Sequence, residues 1–257
     1  MIIFASDYDE TLYQNGVVSE RDIEAIARFR GEGHLFMIAT GRHLNSIGRE
    51  IERFNLAVDY TIGNNGSAIL DGHKNEFYMA DIDRALVREV FDYVVSELSD
   101  SFYFFAVNNG YTYGQRVFLR NEHMFDPLDT IGLEEAFESE KICALFGQVL
   151  PSADSVAIAD LINVRFAGRV SAYSNNEFVD VTLPGDNKAS AILRVIDSLE
   201  MDLRKVYTIG DSHNDIDMIR AYHGFVIRNG QPILLDYGMQ VVDNVAQALE
   251  LVRKDFK

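Results

Sequence analysis

Cysteine and basic residues are both scarce in this sequence, and each scarcity excludes a class of protein. Cys143 is the single cysteine among 257 residues, so the chain can form no internal disulfide and no cysteine-rich metal site. Only 23 Lys and Arg residues stand against 40 Asp and Glu residues, which gives a formal net charge of −17. Such an acidic chain is a poor partner for nucleic acid or for an anionic membrane. Any phosphate site must therefore be made locally, by a cation and by backbone amides.

Long hydrophobic runs are also missing. No stretch reaches the ~18 apolar residues of a membrane span, so we expect no membrane partner. The opening sequence MIIFASDYDE has a short apolar run without a basic flank, which is unlike a signal peptide and predicts a cytoplasmic protein. The apolar run ICALFGQVL predicts that Cys143 is a buried core thiol. The oligomeric state stays open.

The first and last thirds of the chain alternate continuous apolar strands with amphipathic helices. Ser19 followed by Asp22 is typical of a helix start, and Asp186 is expected to cap a later helix. Continuous apolar strands between such helices predict an α/β fold with a Rossmann-like, doubly wound parallel sheet. The expected strands are 2–6, 35–39, 60–62, 205–210, 225–227 and 239–242, with a helix near 43–54.

The middle of the chain has a different pattern. An amphipathic helix at 83–98 precedes two apolar runs that are joined by Asn-Asn-Gly at 108–110, which predicts a hairpin. We therefore expect a smaller α+β cap domain at 81–183, inserted into a core made of 1–80 and 184–257. The insert holds 17 acidic and 7 basic residues, so it is no basic arm for nucleic acid. Its expected strands are 102–107, 112–119, 141–149, 163–168 and 177–183, with a helix near 152–161.

The segment DYDET at 7–11 carries the strongest chemical signal, because it directly follows the first strand. Open α/β sheets bind ligands at the carboxyl ends of their strands. Of two acids at this spacing, one can attack phosphorus as a nucleophile and the other can transfer protons. Thr11 can hold the turn with its hydroxyl.

Three further segments place polar groups at strand or helix ends. Thr40, in ATGR, offers a hydroxyl and the following amides to phosphate oxygens. Lys188 lies in the first turn of a helix, where a lysine is unfavourable unless an anion is near. Asp211 and Asp215, in GDSHND, are hard oxygen ligands that suit Mg²⁺. His213 has no second histidine at ligand spacing, which excludes zinc.

In this order the four segments resemble the motifs of the haloacid dehalogenase-like (HAD) hydrolases. The insert between the second and third motifs, with Asn-Asn-Gly at 64–66 and GFVIRNG at 224–230, is similar to the Cof-type sugar-phosphatase branch. The resemblance implies a Mg²⁺-dependent phosphatase of small phosphorylated metabolites that forms a phospho-aspartate. The implied roles are catalytic for Asp7 (nucleophile), Asp9 (acid/base), Thr40 and Lys188; substrate-binding for Thr11, Gly41, Arg42, Asn65 and Asn214; and metal-binding for Asp7, the Asp9 carbonyl and Asp211, with Asp215 in support.

Two positions depart from the family pattern. Glu10 stands where glycine is usual, so its side chain must point away from the site or alter the entrance. Arg228 replaces a small residue before Asn229. In the insert, the candidates for substrate contact are Asn108, Asn109, Arg116, Arg120 and Arg165.

Several alternatives stay open or are disfavoured. A dehalogenase would not need Asp9, Asp211 or Asp215, and a phosphonate-cleaving enzyme would need a lysine between the first two motifs. A signalling receiver module would need adjacent acids on its first strand. A phosphomutase and a catalytically silent phosphometabolite-binding protein on the same scaffold remain the alternatives to a phosphatase.

Overall fold

The computed structural model describes residues 1–118, 129–200, 202 and 205–255. The strands within this part of the chain are β1 Ile3–Ser6, β2 Leu35–Ala39, β3 Tyr60–Gly63, β4 Ala68–Asp71, β5 Glu76–Met79, β6 Phe102–Asn108, β7 Tyr113–Val117, β8 Thr130–Ile131, β9 Ala144–Val149, β10 Ser171–Asn175, β11 Phe178–Thr182, β12 Val206–Gly210, β13 His223–Ile227 and β14 Gln240–Val242. The helices are α1 Glu20–Gly31, α2 Leu44–Arg53, α3 Arg84–Glu97, α4 Leu133–Phe137, α5 Ser155–Arg165, α6 Lys188–Ser198, α7 Ile216–Ala221 and α8 Val245–Asp255.

Eight strands form the first sheet, here called the core sheet, in the order β14-β13-β12-β1-β2-β3-β4-β5. The strands from β14 to β3 are parallel, and β4 and β5 continue the sheet in antiparallel pairing. Apolar side chains of α1, α2 and α8 pack on one face of this sheet, and those of α6 and α7 pack on the other. The prediction of a doubly wound α/β core is thus confirmed.

The second sheet, here called the insert sheet, runs from Phe102 to Thr182 in the order β10-β11-β9-β6-β7-β8. Its pairs are antiparallel apart from β7 with β8. Side chains of α3, α4 and α5 bury one face of it in a core of its own. The opposite face is turned towards the carboxyl ends of the core strands. The division into a core and a cap domain at 81–183 stays a prediction.

Some predicted elements differ from the structure. Residues 163–168 were expected to form a strand, but Asn163 to Arg165 end the helix α5. The strand of this region is instead β10, whose sequence SAYSN is too polar to be recognised by an apolar pattern. The pair β4 and β5 was not predicted either. The end of the expected strand at 112–119 lies outside the described residues.

Helix starts show one confirmed cap and one error. The Ser19 hydroxyl accepts the backbone N–H of Asp22 at the start of α1, as expected. The cap of α6 is Asn187 and not Asp186, because Asn187 and Ser190 form a reciprocal capping box. Asp186 is buried and forms an ion pair with Arg194, at 2.6 Å. Cys143 is fully buried, as predicted.

None of the described helices combines the length and the apolar composition that a membrane-spanning helix requires.

Candidate active site

The carboxyl ends of three neighbouring core strands bring the predicted acids together. Asp7 follows β1, Thr40 follows β2, and Asp211 follows β12. All three are buried, and Asp215 is completely so. The topology places β1 between β2 and β12, so residues separated by up to about 200 positions meet at one edge of the sheet.

Lys188 is the charge partner of this cluster. It is the first residue of α6 and is only 1% exposed. Its Nζ lies 2.7 Å from Oδ1 of Asp7 and 2.7 Å from Oδ1 of Asp215. Burial lowers the pKa of Lys188, but the two carboxylates outweigh burial and raise it above its ordinary value. The lysine therefore carries its charge in the absence of substrate.

Three buried carboxylates remain under-compensated by one lysine. Oxygens of Asp7, Asp211 and Asp215 lie within 4.8 Å of one another. Burial, together with repulsion from the other two acids, raises the pKa of Asp7 well above its ordinary value. Burial and Asp215 likewise raise the pKa of Asp211 to about 6. Hard oxygen donors in such a site fit a divalent cation, whose charge would relieve this repulsion.

Two of the metal-binding candidates, Asp215 and Asp211, differ in the hydrogen bonds that they accept. Oδ1 of Asp215 accepts from Lys188, and Oδ2 accepts the backbone N–H groups of Asp211 and Ser212 at 3.0 and 3.1 Å. Both carboxylate oxygens of Asp215 are therefore engaged by groups of the protein. Oδ1 of Asp211 accepts a hydrogen bond from Thr11 at 3.0 Å, which fixes this carboxylate beside Asp7. Thr11 thus holds a metal candidate and does not line the cavity described below.

Gly210 is required by the position of Asp215. A Cβ atom at Gly210 would lie 2.4 Å from Cγ of Asp215, a distance that forces one group to move. The glycine before Asp211 therefore lets the Asp215 carboxylate reach back under the strand end.

Asp9 is held by Arg42. Nε of Arg42 lies 2.8 Å from Oδ2 of Asp9, and Nη2 lies 2.6 Å from Oδ1. Arg42 was predicted to bind substrate, and in this structure its guanidinium is engaged by the second acid. The backbone N–H of Arg42 also donates to Oγ1 of Thr40, at 3.1 Å, so the Thr40 hydroxyl hydrogen can point into the cavity.

The two departures from the family pattern leave the site intact. Glu10 has φ of 58°, in the left-handed region that favours glycine, and its side chain is exposed. Arg228 is 61% exposed and pairs with Asp243, away from the acid cluster.

Asparagines connect the core to the insert sheet. Nδ2 of Asn65 donates to Oδ2 of Asp180 at 2.7 Å, and Oδ1 of Asn65 accepts from Asn214 at 2.9 Å. Asp180 is 8% exposed, and burial raises its pKa to about 6. Gly41 packs beneath this network, where a Cβ atom would lie 3.4 Å from the Asn65 amide. Asp180 was missed by the sequence analysis, although an acid inside the apolar strand FVDVT is a signal that could have indicated it.

A cavity of about 470 Å³ lies between the acid cluster and the insert sheet. Of the insert candidates for substrate contact, Asn108 lines this cavity, whereas Asn109, Arg116 and Arg165 do not. Arg165 lies on α5 beside the Phe166 ring, 5.5 Å from its centroid. Arg120 is outside the described residues. The cavity lining includes Asp7, Asp9, Thr40, Gly41, Arg42 and Asn214 from the core and Phe104, Tyr113, Phe146, Gln148, Phe178 and Asp180 from the insert sheet.

The chain belongs to the haloacid dehalogenase-like hydrolase family, whose model matches residues 4–248. A protein of Buchnera aphidicola subsp. Baizongia pistaciae, provisionally named a phosphatase, is 23% identical over 261 residues and covers 97% of each chain.

Solved structures share the fold at low identity. A HAD/COF-like hydrolase of Plasmodium vivax superposes with a TM-score of 0.82 at 17% identity, over 100% of this chain and 96% of that one. A HAD subclass IIB sugar phosphatase superposes with a TM-score of 0.79 at 19% identity, over 98% of both chains.

Proposed function

We propose that this protein is a Mg²⁺-dependent phosphatase that hydrolyses small phosphomonoesters through a phospho-aspartate at Asp7. The observation that carries the proposal is the position of Asp7. Its carboxylate lies at the floor of the cavity, 2.7 Å from Lys188 and beside Asp211. Membership of the hydrolase family and the fold shared with a sugar phosphatase support it.

The first half-reaction forms the covalent bond. A carboxylate oxygen of Asp7 attacks phosphorus, and the bond between phosphorus and the leaving oxygen breaks. The leaving oxygen keeps the electron pair and takes a proton from Asp9. Lys188 and the Thr40 hydroxyl hold the phosphoryl oxygens. Mg²⁺, held by Asp7, Asp211 and the Asp9 carbonyl, would supply positive charge to the phosphoryl group.

The second half-reaction restores the enzyme. Water attacks phosphorus, the Asp9 carboxylate takes a proton from it, and the bond between phosphorus and Asp7 breaks. Inorganic phosphate leaves, and Asp7 is again a carboxylate. Asp9 acts as acid in the first half-reaction and as base in the second, so both depend on its reach into the cavity.

The insert sheet closes the cavity from above. Asn65 and Asp180 join the two sheets, and Nδ2 of Asn108 donates to Oδ1 of Asn64 at 2.8 Å. We take residues 81–183 to be a lid that excludes water during transfer and limits substrates to small metabolites.

The test is release of phosphate from p-nitrophenyl phosphate and from a panel of phosphorylated metabolites. We expect activity with Mg²⁺, none with excess chelator, and none in Asp7→Asn. The exposed substitution Asp160→Asn is the matched control and should keep full activity. Acid-quenched protein should carry a phosphate that hydroxylamine removes, as expected for an acyl phosphate. Substantial activity in Asp7→Asn would overturn the mechanism, and binding of phosphometabolites without turnover would favour the silent binding protein.

A further inference from the structure

One face of the insert sheet forms the roof of the cavity, and its strand register decides which side chains meet there. Gln148 on β9 pairs with Phe104 on β6 and with Phe178 on β11, so these three side chains form a row on the same face. Phe146, two residues before Gln148, occupies the next row beside Asp180. The intervening residues point to the opposite face, which α3, α4 and α5 bury.

Four aromatic rings line the roof, those of Phe104, Tyr113, Phe146 and Phe178. Phe146 packs edge-on against Phe104, with ring centroids 5.6 Å apart, and against Tyr113, with centroids 5.2 Å apart. Rings held in this way offer a rigid apolar surface for the flat face of a ligand at little cost in conformational entropy.

Gln148 is the polar group within this aromatic row. It lines the cavity, is 4% exposed, and its Oε1 has no hydrogen-bond partner. A buried acceptor without a partner costs free energy. The last torsion of glutamine is broad and roughly two-fold, so the carboxamide can turn Oε1 or Nε2 towards a ligand. A hydroxyl group, which both donates and accepts, satisfies the carboxamide in either orientation.

The charges around the roof are unfavourable for a second anion. Among the described residues that line the cavity, the insert sheet and its turns contribute Glu177 and Asp180 and no lysine or arginine. The cationic candidates come from the core. Arg42 is paired with Asp9, and burial lowers the pKa of His43 despite nearby Asp129. Within the described lining, an anionic group under the roof would therefore meet carboxylates and no unpaired cation.

From these features we propose that the insert sheet selects phosphomonoesters whose leaving group is an uncharged alcohol with a flat apolar face and a further hydroxyl. Gln148 is the specificity-determining residue that hydrogen-bonds this hydroxyl. The inference rests on the proposed phosphatase activity and adds to it the class of substrate. It excludes bisphosphates and phosphorylated sugar acids, whose second anion would lie under the roof.

The first test compares matched substrates that differ by one anionic group far from the reacting phosphate. The pairs are sorbitol 6-phosphate with 6-phosphogluconate, both open-chain, and fructose 6-phosphate with fructose 1,6-bisphosphate, assayed for the 6-phosphate. We expect kcat/KM to be at least about tenfold higher for the neutral member of each pair, as like charges in a desolvated site are strongly unfavourable. Equal kcat/KM values within the pairs would overturn the proposal.

The second test places a cation under the roof. Gln148→Lys should improve kcat/KM for the anionic member relative to the neutral member by about tenfold or more. Gln115→Lys is the matched control. Gln115 pairs with Ala106, so it lies on the same face, but it is outside the cavity lining. Its substitution should change the ratio by less than about twofold, because the new charge lies outside the cavity that holds the substrate. A similar change in both variants would show an effect of net charge and would overturn the assignment of Gln148.

A second variant pair covers the case in which Gln148→Lys does not fold. Gln148→Leu should lower kcat/KM for glucose 6-phosphate relative to p-nitrophenyl phosphate by about tenfold, the effect of one lost hydrogen bond. Gln115→Leu should leave this ratio unchanged. An unchanged ratio in Gln148→Leu would also overturn the role of Gln148. A wild-type protein inactive on p-nitrophenyl phosphate and on every sugar phosphate would instead refute the phosphatase function itself.

Discussion

Arg42 and Asp9 form a bidentate ion pair in which both carboxylate oxygens of Asp9 face the guanidinium, at 2.8 and 2.6 Å. Two parallel hydrogen bonds of this kind fix the plane of the carboxylate as well as its position. Arg42 also lies over the Tyr8 ring, with its guanidinium carbon 5.1 Å from the ring centroid. The residue that is proposed to transfer protons is therefore positioned by a side chain that is itself held from a second direction.

Replacement of Arg42 should lower kcat/KM more for substrates with a poor leaving group than for substrates with a good one. In Arg42→Met, we expect kcat/KM for a sugar phosphate to fall by ~10²-fold, since a misplaced acid loses most of its benefit. The loss for p-nitrophenyl phosphate should be less than about tenfold, because its weakly basic leaving group departs without a proton. Steady-state kinetics on both substrates measure the difference. Arg228→Met, which breaks the exposed pair with Asp243, should change neither. Equal losses on the two substrates would show that Arg42 does not act through Asp9.

Mg²⁺ should stabilise the folded protein through Asp211. At a concentration of 100 times Kd, a ligand that binds only the folded state adds about 2.7 kcal/mol to the free energy of unfolding. For a chain of this size that corresponds to a rise in Tm of ~5–10 °C. Asp211→Asn should abolish most of the rise, and in chelator it should melt no lower than the wild type because one buried charge is gone. Thermal melts with and without Mg²⁺ measure both effects. A full Mg²⁺-dependent rise in Asp211→Asn would place the cation elsewhere.

Asp180 should make stability depend on pH. Burial raises its folded-state pKa to about 6 from the ordinary value of 3.8, so the folded state favours the protonated form. Its contribution to stability is then present at low pH and is lost as the pH rises through about 6. Asp180→Asn should gain about 1–1.5 kcal/mol of stability over the wild type between pH 5 and pH 8, because about half of the full difference of ~3 kcal/mol has already developed at pH 5.

Urea denaturation at the two pH values tests the Asp180 prediction. The exposed substitution Asp236→Asn is the control, and its stability relative to the wild type should not change between them. If the free energies of unfolding of Asp180→Asn and the wild type change in parallel with pH, the prediction of a raised pKa for Asp180 is wrong.

Gly210 should tolerate no side chain. A Cβ atom in Gly210→Ala would meet the Asp215 carboxyl group at 2.4–2.5 Å. We expect a loss of about 1–3 kcal/mol in the free energy of unfolding, together with weaker Mg²⁺ binding as Asp215 is displaced. In contrast, Gly48→Ala, inside α2 with no atom near its Cβ position, should add about 1 kcal/mol. Chemical denaturation compares the two alanine variants, and an unperturbed Gly210→Ala would contradict the close packing of Asp215.

The strands of the core sheet were predictable because the sequence of a buried parallel strand is an uninterrupted apolar run. The strand at 35–39 was placed at the residues that the structure shows, and the Ser19 cap was recognised from its own side chain. In contrast, β10 mixes polar residues into a half-buried strand, and its pattern resembles a loop. The cap at Asn187 was displaced by one residue because Asp186 is an equally good cap by type.

The acid cluster was predictable and the roof of the cavity was not. Asp7, Asp211 and Lys188 each lie at the end of a core element, where the fold itself brings side chains together. The ion pair of Arg42 with Asp9 could not be predicted from the sequence, because the motif does not specify the direction of a long side chain. Gln148 and Asp180 come from strands whose register depends on long-range pairing, which no local pattern specifies.

The pair of Lys188 and Asp7 joins positions 181 residues apart, and the whole insert sheet is encoded between them. On a ribosome that adds 5–20 residues per second, Lys188 would be made roughly 10–40 s after Asp7. The last strand of the insert sheet ends at Thr182, so all of its strands have been translated six residues before Lys188 is made. Strand β1 pairs with β12, and Asp7 with the lysine at the start of α6, only after these later segments have been translated. A nascent chain thus carries the proposed nucleophile without its counter-charge, and under the proposed mechanism it could bind phosphate only when translation of the last third is well advanced.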